Sequence, residues 1–173
     1  MNILTSLQKI KAIVLDVDGV LTDGSLLLLE NGEMARRMNI KDGYALQLAV
    51  KKGYHILVIS GGKSEAVKTR LQKLGVENVY MSVTDKKDVL LQYVQEHELH
   101  WEQVLYMGDD MPDLAVMQLA GLPCCPADAV PEIKAISHYI SPLNGGYGCV
   151  RDVIEKVMKL NSDWEHDNAV ASK

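Results

Sequence analysis

At 173 residues the chain has the length of one domain, enough to bury roughly 70% of its extended-chain surface without disulfide or metal staples. Apolar residues make up 47% and charged residues 24%, and a formal net charge of −5 argues against nucleic acid or an anionic membrane as main partner. Any anionic ligand must therefore be held by local positive groups.

Residues 1–15 are interrupted by Lys9 and Lys11, so no secretory hydrophobic region opens the chain. No apolar run approaches the ~20 residues of a membrane span, and a cytoplasmic protein is expected. The run 12–15 is apolar and ends in Asp16-Val17-Asp18-Gly19, the pattern of a buried strand that stops at a polar edge. Residues 25–40 carry Leu26-Leu27-Leu28-Leu29 and then Asn31-Gly32, a favoured two-residue turn, which predicts a projecting β-hairpin. Its leucines exceed what one buried face needs, so a partner subunit is expected to cover it.

Residues 54–59 repeat the buried-strand pattern and end in Ser60-Gly61-Gly62. Val67, Leu71 and Leu74 predict a helix that Gly75 stops. A short strand at 79–81 precedes Lys86, which lies near the start of a helix marked by Val89, Leu90, Tyr93 and Val94. Residues 103–107 predict a strand ending in Gly108-Asp109-Asp110. Leu114 with Met117 marks a further helix, and a weaker fifth strand is expected around 121–125. Val150, Val153, Ile154, Val157 and Met158 form the stripe of a C-terminal helix. Residues 161–173 lack periodicity and are expected to be a loose tail on a single domain spanning 1–160. Cys124, Cys125 and Cys149 fit no disulfide framework and read as buried thiols, and the five histidines have no ligand spacing.

Strands alternating with helices imply βαβ units. The predicted fold is an α/β three-layer sandwich with a central parallel sheet and one projecting hairpin. In such sheets ligands sit beyond the carboxyl ends of the strands. This chain places Asp16, Asp18, Ser60, Asp109, Asp110 and Asp113 there, with Lys86 between them. Carboxylates so gathered repel one another unless a cation intervenes, and oxygen ligands without His or Cys suit Mg²⁺. Phosphoryl transfer explains each part. One carboxylate, Asp16, takes the phosphoryl group, and Asp18 acts as general acid and then base. Ser60 and backbone N–H groups hold the non-bridging oxygens, while Lys86 offsets charge.

The run Asp16-Val17-Asp18-Gly19-Val20-Leu21-Thr22-Asp23-Gly24 resembles the first motif of the haloacid dehalogenase superfamily. Ser60 is similar to the second motif, Lys86 to the third, and Gly108-Asp109-Asp110-Met111-Pro112-Asp113 to the fourth, in family order across residues 9–159. The resemblance implies that Asp16, the Asp18 carbonyl and Asp109 bind Mg²⁺. Asp110 would support Lys86 or the metal's waters, with Asp113 as a further support. The stretches after the first two motifs are too short for a cap domain, so the chain resembles the capless subgroup. That subgroup shares the hairpin, the Lys41-Asp42-Gly43-Tyr44 segment and a late glycine-rich segment, here Asn144-Gly145-Gly146-Tyr147-Gly148. It implies a homotetramer in which a neighbour's hairpin and tail help close the site.

The implied substrate is a small phosphorylated sugar acid: 3-deoxy-manno-octulosonate 8-phosphate first, a nine-carbon keto-deoxy acid phosphate as the alternative. Two departures bear on the sugar-facing part. Many subgroup members read Thr-Gly-Arg in the second motif, where this chain has Ser60-Gly61-Gly62 followed by Lys63, and Arg where it has Tyr147. Gly61, Lys63, Lys41 and Arg151 are the expected substrate-binding residues, with Lys63 and Arg151 the preferred pair for the sugar carboxylate. Two rivals from other classes are a receiver-like signalling domain and a non-catalytic scaffold. In a receiver domain the acidic pair opens the chain and the lysine comes last; here Asp109 and Asp110 follow Lys86. A scaffold would have lost a motif residue, and none is lost.

Overall fold

Strand β1 (Ala12–Leu15) is buried along its whole length and sends alternate side chains into two cores. Ile13 and Leu15 face one helical layer, Ala12 and Val14 the other. A strand covered on both faces needs such continuous hydrophobicity. The computed structural model describes residues 2–170. Five further strands join β1: β4 (His55–Ile59), β5 (Asn78–Tyr80), β6 (Val104–Met107), β7 (Leu122–Cys125) and β8 (Tyr139–Ile140). All pair in parallel, in the order β5-β4-β1-β6-β7-β8.

One face of the sheet is covered by α1 (Ile3–Lys9), α2 (Ile40–Lys51), α3 (Glu65–Lys73) and α7 (Cys149–Leu160). The other is covered by α4 (Lys86–Glu96), α5 (Leu114–Met117) and α6 (Pro131–Ile136). This is the expected three-layer sandwich, with no cap domain among the described residues. The three cysteines are free and buried. No helix among the described residues is long and apolar enough to cross a membrane.

Helices α1, α2 and α6 and strand β8 were not anticipated from the sequence. Strand β8 has two residues, too few to show a period. Helix α1 is short and is started by Asn2, whose side chain accepts from the Leu4 N–H. Helix α2 has buried residues on much of its circumference, including Gly43, Ala45, Leu46, Leu48 and Ala49, so its apolar stripe is blurred.

The hairpin pairs β2 (Leu27–Leu28) with β3 (Met34–Ala35). Its turn is not the expected two-residue Asn-Gly. Leu29 N–H donates to Glu33 O and Gly32 N–H to Leu29 O, both at 2.9 Å, so Glu30, Asn31 and Gly32 form a three-residue loop. Gly32 has φ +83°, the left-handed residue that such a bulged turn requires. Leu27 and Leu28 are 64% and 72% exposed.

The expected loose tail is a second correction. Residues 161–170 lie against α2 and β4: Tyr54 Oη donates to Asp163 Oδ2 at 2.7 Å, and Trp164 packs edge-on to Tyr44. An aromatic anchor needs no periodicity, which is why the pattern gave no warning. Residues 171–173 lie outside the described residues.

Candidate active site

Asp16 follows directly on β1, and its N–H donates to Met107 O, so the central strands continue their pairing into the site. The chain then turns sharply: Asp18 is extended and Gly19 sits at φ +87°. A Cβ on Gly19 would stand 1.9 Å from Asp109 Oδ2, so only glycine lets the first-motif loop approach the fourth. The late glycine segment clamps the same loop. A Cβ on Gly145 would lie 1.9 Å from Gly19 O, and Gly146 N–H donates to Val20 O at 2.9 Å.

Lys86 is the first residue of α4, whose start is capped by the Asp85 side chain. Its ammonium is 8% exposed and lies 2.9 Å from Asp16 Oδ1 and 2.8 Å from Asp113 Oδ1. Burial pulls the Lys86 pKa down, but the Asp113 and Asp16 charges outweigh it and the net shift is upward. The group is a fixed cation. Asp113, 1% exposed, also accepts from Tyr106 Oη at 2.9 Å and from Asp109 N–H at 3.2 Å. Of the two supports expected of Asp110, Lys86 or the metal's waters, the contact to Lys86 is made by Asp113. Asp110 Oδ1 instead accepts from Met111 N–H, capping the short turn Met111–Asp113, where an exposed carboxylate favours the free N–H groups.

Ser60 ends β4 with 1% exposure, and its Oγ accepts from Gly62 N–H at 3.1 Å. Ser60 and Gly61 line a cavity of about 340 Å³ together with Asp16, Asp18, Lys86, Asp109, Asp110 and Asp113. A larger cavity of about 670 Å³ opens at the opposite end of the sheet, between Lys11, Lys52, His55 and Gln103. Size does not select it, because the convergent carboxylates stand at the carboxyl edge, where parallel sheets bind ligands.

Three carboxylates, Asp16, Asp109 and Asp113, each bring an oxygen within 4.8 Å of the others. Asp109 Oδ1 is buried with no hydrogen-bond partner. Burial, then the Asp16 and Asp113 charges, raises the Asp109 pKa to about 7; burial and then Asp113 raise Asp16 to about 6. An all-oxygen cluster that is strained by its own charge and holds an orphaned acceptor fits a hard cation such as Mg²⁺. Asp113 already accepts three hydrogen bonds, which leaves Asp16 and Asp109 as the carboxylates with oxygens to offer.

The other expected substrate ligands do not gather here. Lys63 is exposed and does not line the cavity. Lys41 and Arg151 line a separate depression with Tyr147. Arg151 is held by Glu155 and lies over the Tyr44 and Trp164 rings at 5.7 and 5.3 Å. Two residues were missed. Arg36, just after β3, places Nε 2.7 Å from Asp18 Oδ1 and Nη2 3.2 Å from Asp18 Oδ2. Arg37 reaches Asp23 Oδ2 at 2.8 Å and Tyr147 Oη at 2.5 Å. The available signal was the Arg36-Arg37 pair on a hairpin strand returning past the first motif.

Residues 78–154 match the model of the haloacid dehalogenase-like hydrolases. The 3-deoxy-D-manno-octulosonate 8-phosphate phosphatase of Salmonella typhi is 32% identical over 157 residues, 91% of this chain and 84% of that protein. The chain belongs to the haloacid dehalogenase-like hydrolases. Within that family it falls among the phosphatases. The crystal structure of the Yersinia pestis octulosonate phosphatase superposes with a TM-score of 0.90 at 29% identity, covering 92% of this chain and 86% of that one. The Moraxella catarrhalis 3-deoxy-D-manno-octulosonate 8-phosphate phosphatase, solved in complex with a magnesium ion, a phosphate ion and a KDO molecule, gives 0.88 at 30% identity and covers 91% of each chain.

Proposed function

We propose that this haloacid dehalogenase-like phosphatase hydrolyses 3-deoxy-manno-octulosonate 8-phosphate through an aspartyl-phosphate on Asp16, in cytoplasmic synthesis of lipopolysaccharide precursor. The observation that carries the chemistry is the buried Asp16–Lys86–Asp113 chain beside the orphaned Asp109 oxygen. The substrate reading is supported by the octulosonate phosphatases to which this chain is similar over most of its length.

An Asp16 carboxylate oxygen attacks phosphorus, and the ester P–O bond breaks toward the sugar oxygen. Asp18 donates a proton to that leaving oxygen, then accepts one from the water that attacks the aspartyl-phosphate. Inorganic phosphate leaves and both carboxylates return to their starting states. Lys86 stays protonated and donates to the transferring oxygens, while Ser60 Oγ and the N–H groups of the Ser60-Gly61-Gly62 turn bind the others. Asp113 and Tyr106 keep Lys86 in place. Mg²⁺, held by Asp16, the Asp18 carbonyl and Asp109, supplies positive charge against the phosphoryl oxygens when bound.

The reading extends to assembly. The exposed leucines of the hairpin are unsuited to water as a patch, and a homotetramer that buries them against neighbouring subunits accounts for them.

The test is inorganic phosphate release with Mg²⁺ across a panel of sugar phosphates, with Asp16→Asn as control. Preference for the eight-carbon keto-deoxy acid phosphate, lost in Asp16→Asn, is expected. Preference for a nine-carbon acid keeps the mechanism and overturns the substrate. Turnover surviving Asp16→Asn overturns the mechanism, and absence of turnover returns the chain to the scaffold or receiver readings.

A further inference from the structure

The two carboxylates of the first motif are held by different cations. Asp16 meets the buried ammonium of Lys86, a point charge that offsets charge. Asp18 meets the guanidinium of Arg36, whose Nε and Nη2 each donate to a different Asp18 oxygen. A planar fork on a carboxylate fixes the plane of the group as well as its place, which an ammonium does not. The Arg36 side chain is only 6% exposed, although it belongs to a hairpin whose neighbouring residues Met34 and Ala35 are exposed. The Asp18 side chain is 37% exposed, so its protein surroundings leave it room to turn.

Gly62 lies beside the pair: a Cβ at that position would stand 3.0 Å from Asp18 Oδ2, close enough to displace the carboxylate by a few tenths of an ångström, and 3.4 Å from Arg36 Nη2.

We propose that Arg36 is a positioning residue for the reaction: it holds the Asp18 carboxylate in the orientation from which Asp18 serves the leaving oxygen. The inference rests on the reading of Asp18 as the proton-transferring group. It makes the hairpin part of the catalytic apparatus of its own subunit, besides any role in assembly. Reacting groups must be held to within a fraction of an ångström, and a displacement of about 1 Å costs on the order of 10²-fold in rate.

The experiment compares, by rapid quench on the Mg²⁺-loaded enzyme, the burst rate of leaving-group release (sugar acid or nitrophenol), which precedes hydrolysis of the aspartyl-phosphate, for two esters. The alkyl ester 3-deoxy-manno-octulosonate 8-phosphate needs its leaving oxygen protonated; para-nitrophenyl phosphate does not. Asp18→Asn sets the scale, with an expected loss of about 10²–10⁴-fold on the alkyl ester. Arg36→Met should lose about 10²-fold on the alkyl ester and stay within about threefold on the nitrophenyl ester. Arg36→Lys, which restores charge without the fork, should recover only about tenfold of that loss.

Equal losses on both esters would reduce Arg36 to holding the hairpin in place and overturn the proposal. An unchanged alkyl-ester rate in Arg36→Met, with Asp18→Asn inactive on it, would overturn the proposal alone. An alkyl-ester rate that survives Asp18→Asn would overturn the reading of Asp18, and the proposal with it.

Discussion

Lys86 Nζ stands 2.8 Å from Asp113 Oδ1, across 27 residues of sequence, and this pair joins the start of α4 to the turn before α5. Both groups are buried, and Tyr106 Oη donates to the same Asp113 oxygen. The pair sets where the ammonium points, and therefore where Asp16 finds its counter-charge.

Removing Asp113 leaves the buried Lys86 ammonium with Asp16 as its counter-charge and leaves Tyr106 without its acceptor. Leaving a buried charge wholly uncompensated costs about 3–5 kcal/mol, and with Asp16 still in place the loss is expected to fall below that range. Asp113→Ala is expected to lower the urea midpoint accordingly with little change in slope, and to lower kcat for phosphate release. Asp113→Asn, which still offers Tyr106 an oxygen, should lose less stability but most of the activity. Parental activity in both variants would show that Lys86 needs only Asp16.

The carboxylate cluster predicts how stability responds to pH and metal. Asp109 is raised to about 7 and Asp16 to about 6, against 3.8 for a free carboxyl. Raised carboxyls bind protons more tightly in the folded chain than in the unfolded one. Their contribution to the cation-free protein is therefore complete below the free-carboxyl pKa and is lost as pH rises through about 6 and 7. In chelator, Tm should fall between about pH 5 and about pH 8, and the rise in Tm on adding Mg²⁺ should be larger at the higher pH. Asp109→Asn should flatten the decline and shrink the Mg²⁺ effect. A Mg²⁺ effect independent of pH would contradict this account of the cluster.

The hairpin predicts an association defect that is separable from folding. Leu27 and Leu28 are largely exposed within one chain, so replacing both with Asp should change single-chain stability by about 0.5 kcal/mol or less. Light scattering should show parental protein larger than a monomer and the Leu27→Asp/Leu28→Asp variant reduced to one. A parental protein that is itself monomeric would remove the assembly reading while leaving the catalytic one intact.

Much of the fold was legible because burial leaves a local trace. Ala12–Leu15, residues 56–59 and Val104–Met107 are continuous buried apolar runs, since strands covered on both faces have no polar side to show. The stripe of α7 stood out because that helix buries one face and shows the other to water. Helix α2 was hidden because it is buried on much of its circumference, and the 161–170 segment because its anchors, Asp163, Trp164 and Asp167, follow no period. In the site, Asp16, Asp18, Ser60, Lys86 and Asp109 were found because each ends a strand or opens a helix at one edge of the sheet. The roles of Asp110 and Asp113 were not separable from spacing, since three residues in one turn all reach that edge. Which of them faces Lys86 depends on the turn Met111–Asp113.

What the sequence determined by itself is the set of local commitments: which runs are buried strands, which stripes are helices, and which carboxylates, hydroxyl and lysine sit where strands end. These follow from side-chain periodicity and from the polarity change at a strand terminus, both properties of neighbours in the chain. What only the tertiary structure decided is the pairing of charges: Arg36 with Asp18, Asp113 with Lys86, and an Asp109 oxygen left without a partner. Charges interact through space, and partners 18 and 27 residues apart meet because β3 and α4 return to the edge where β1 ends. No local pattern encodes such a meeting, which depends on folding the whole sheet.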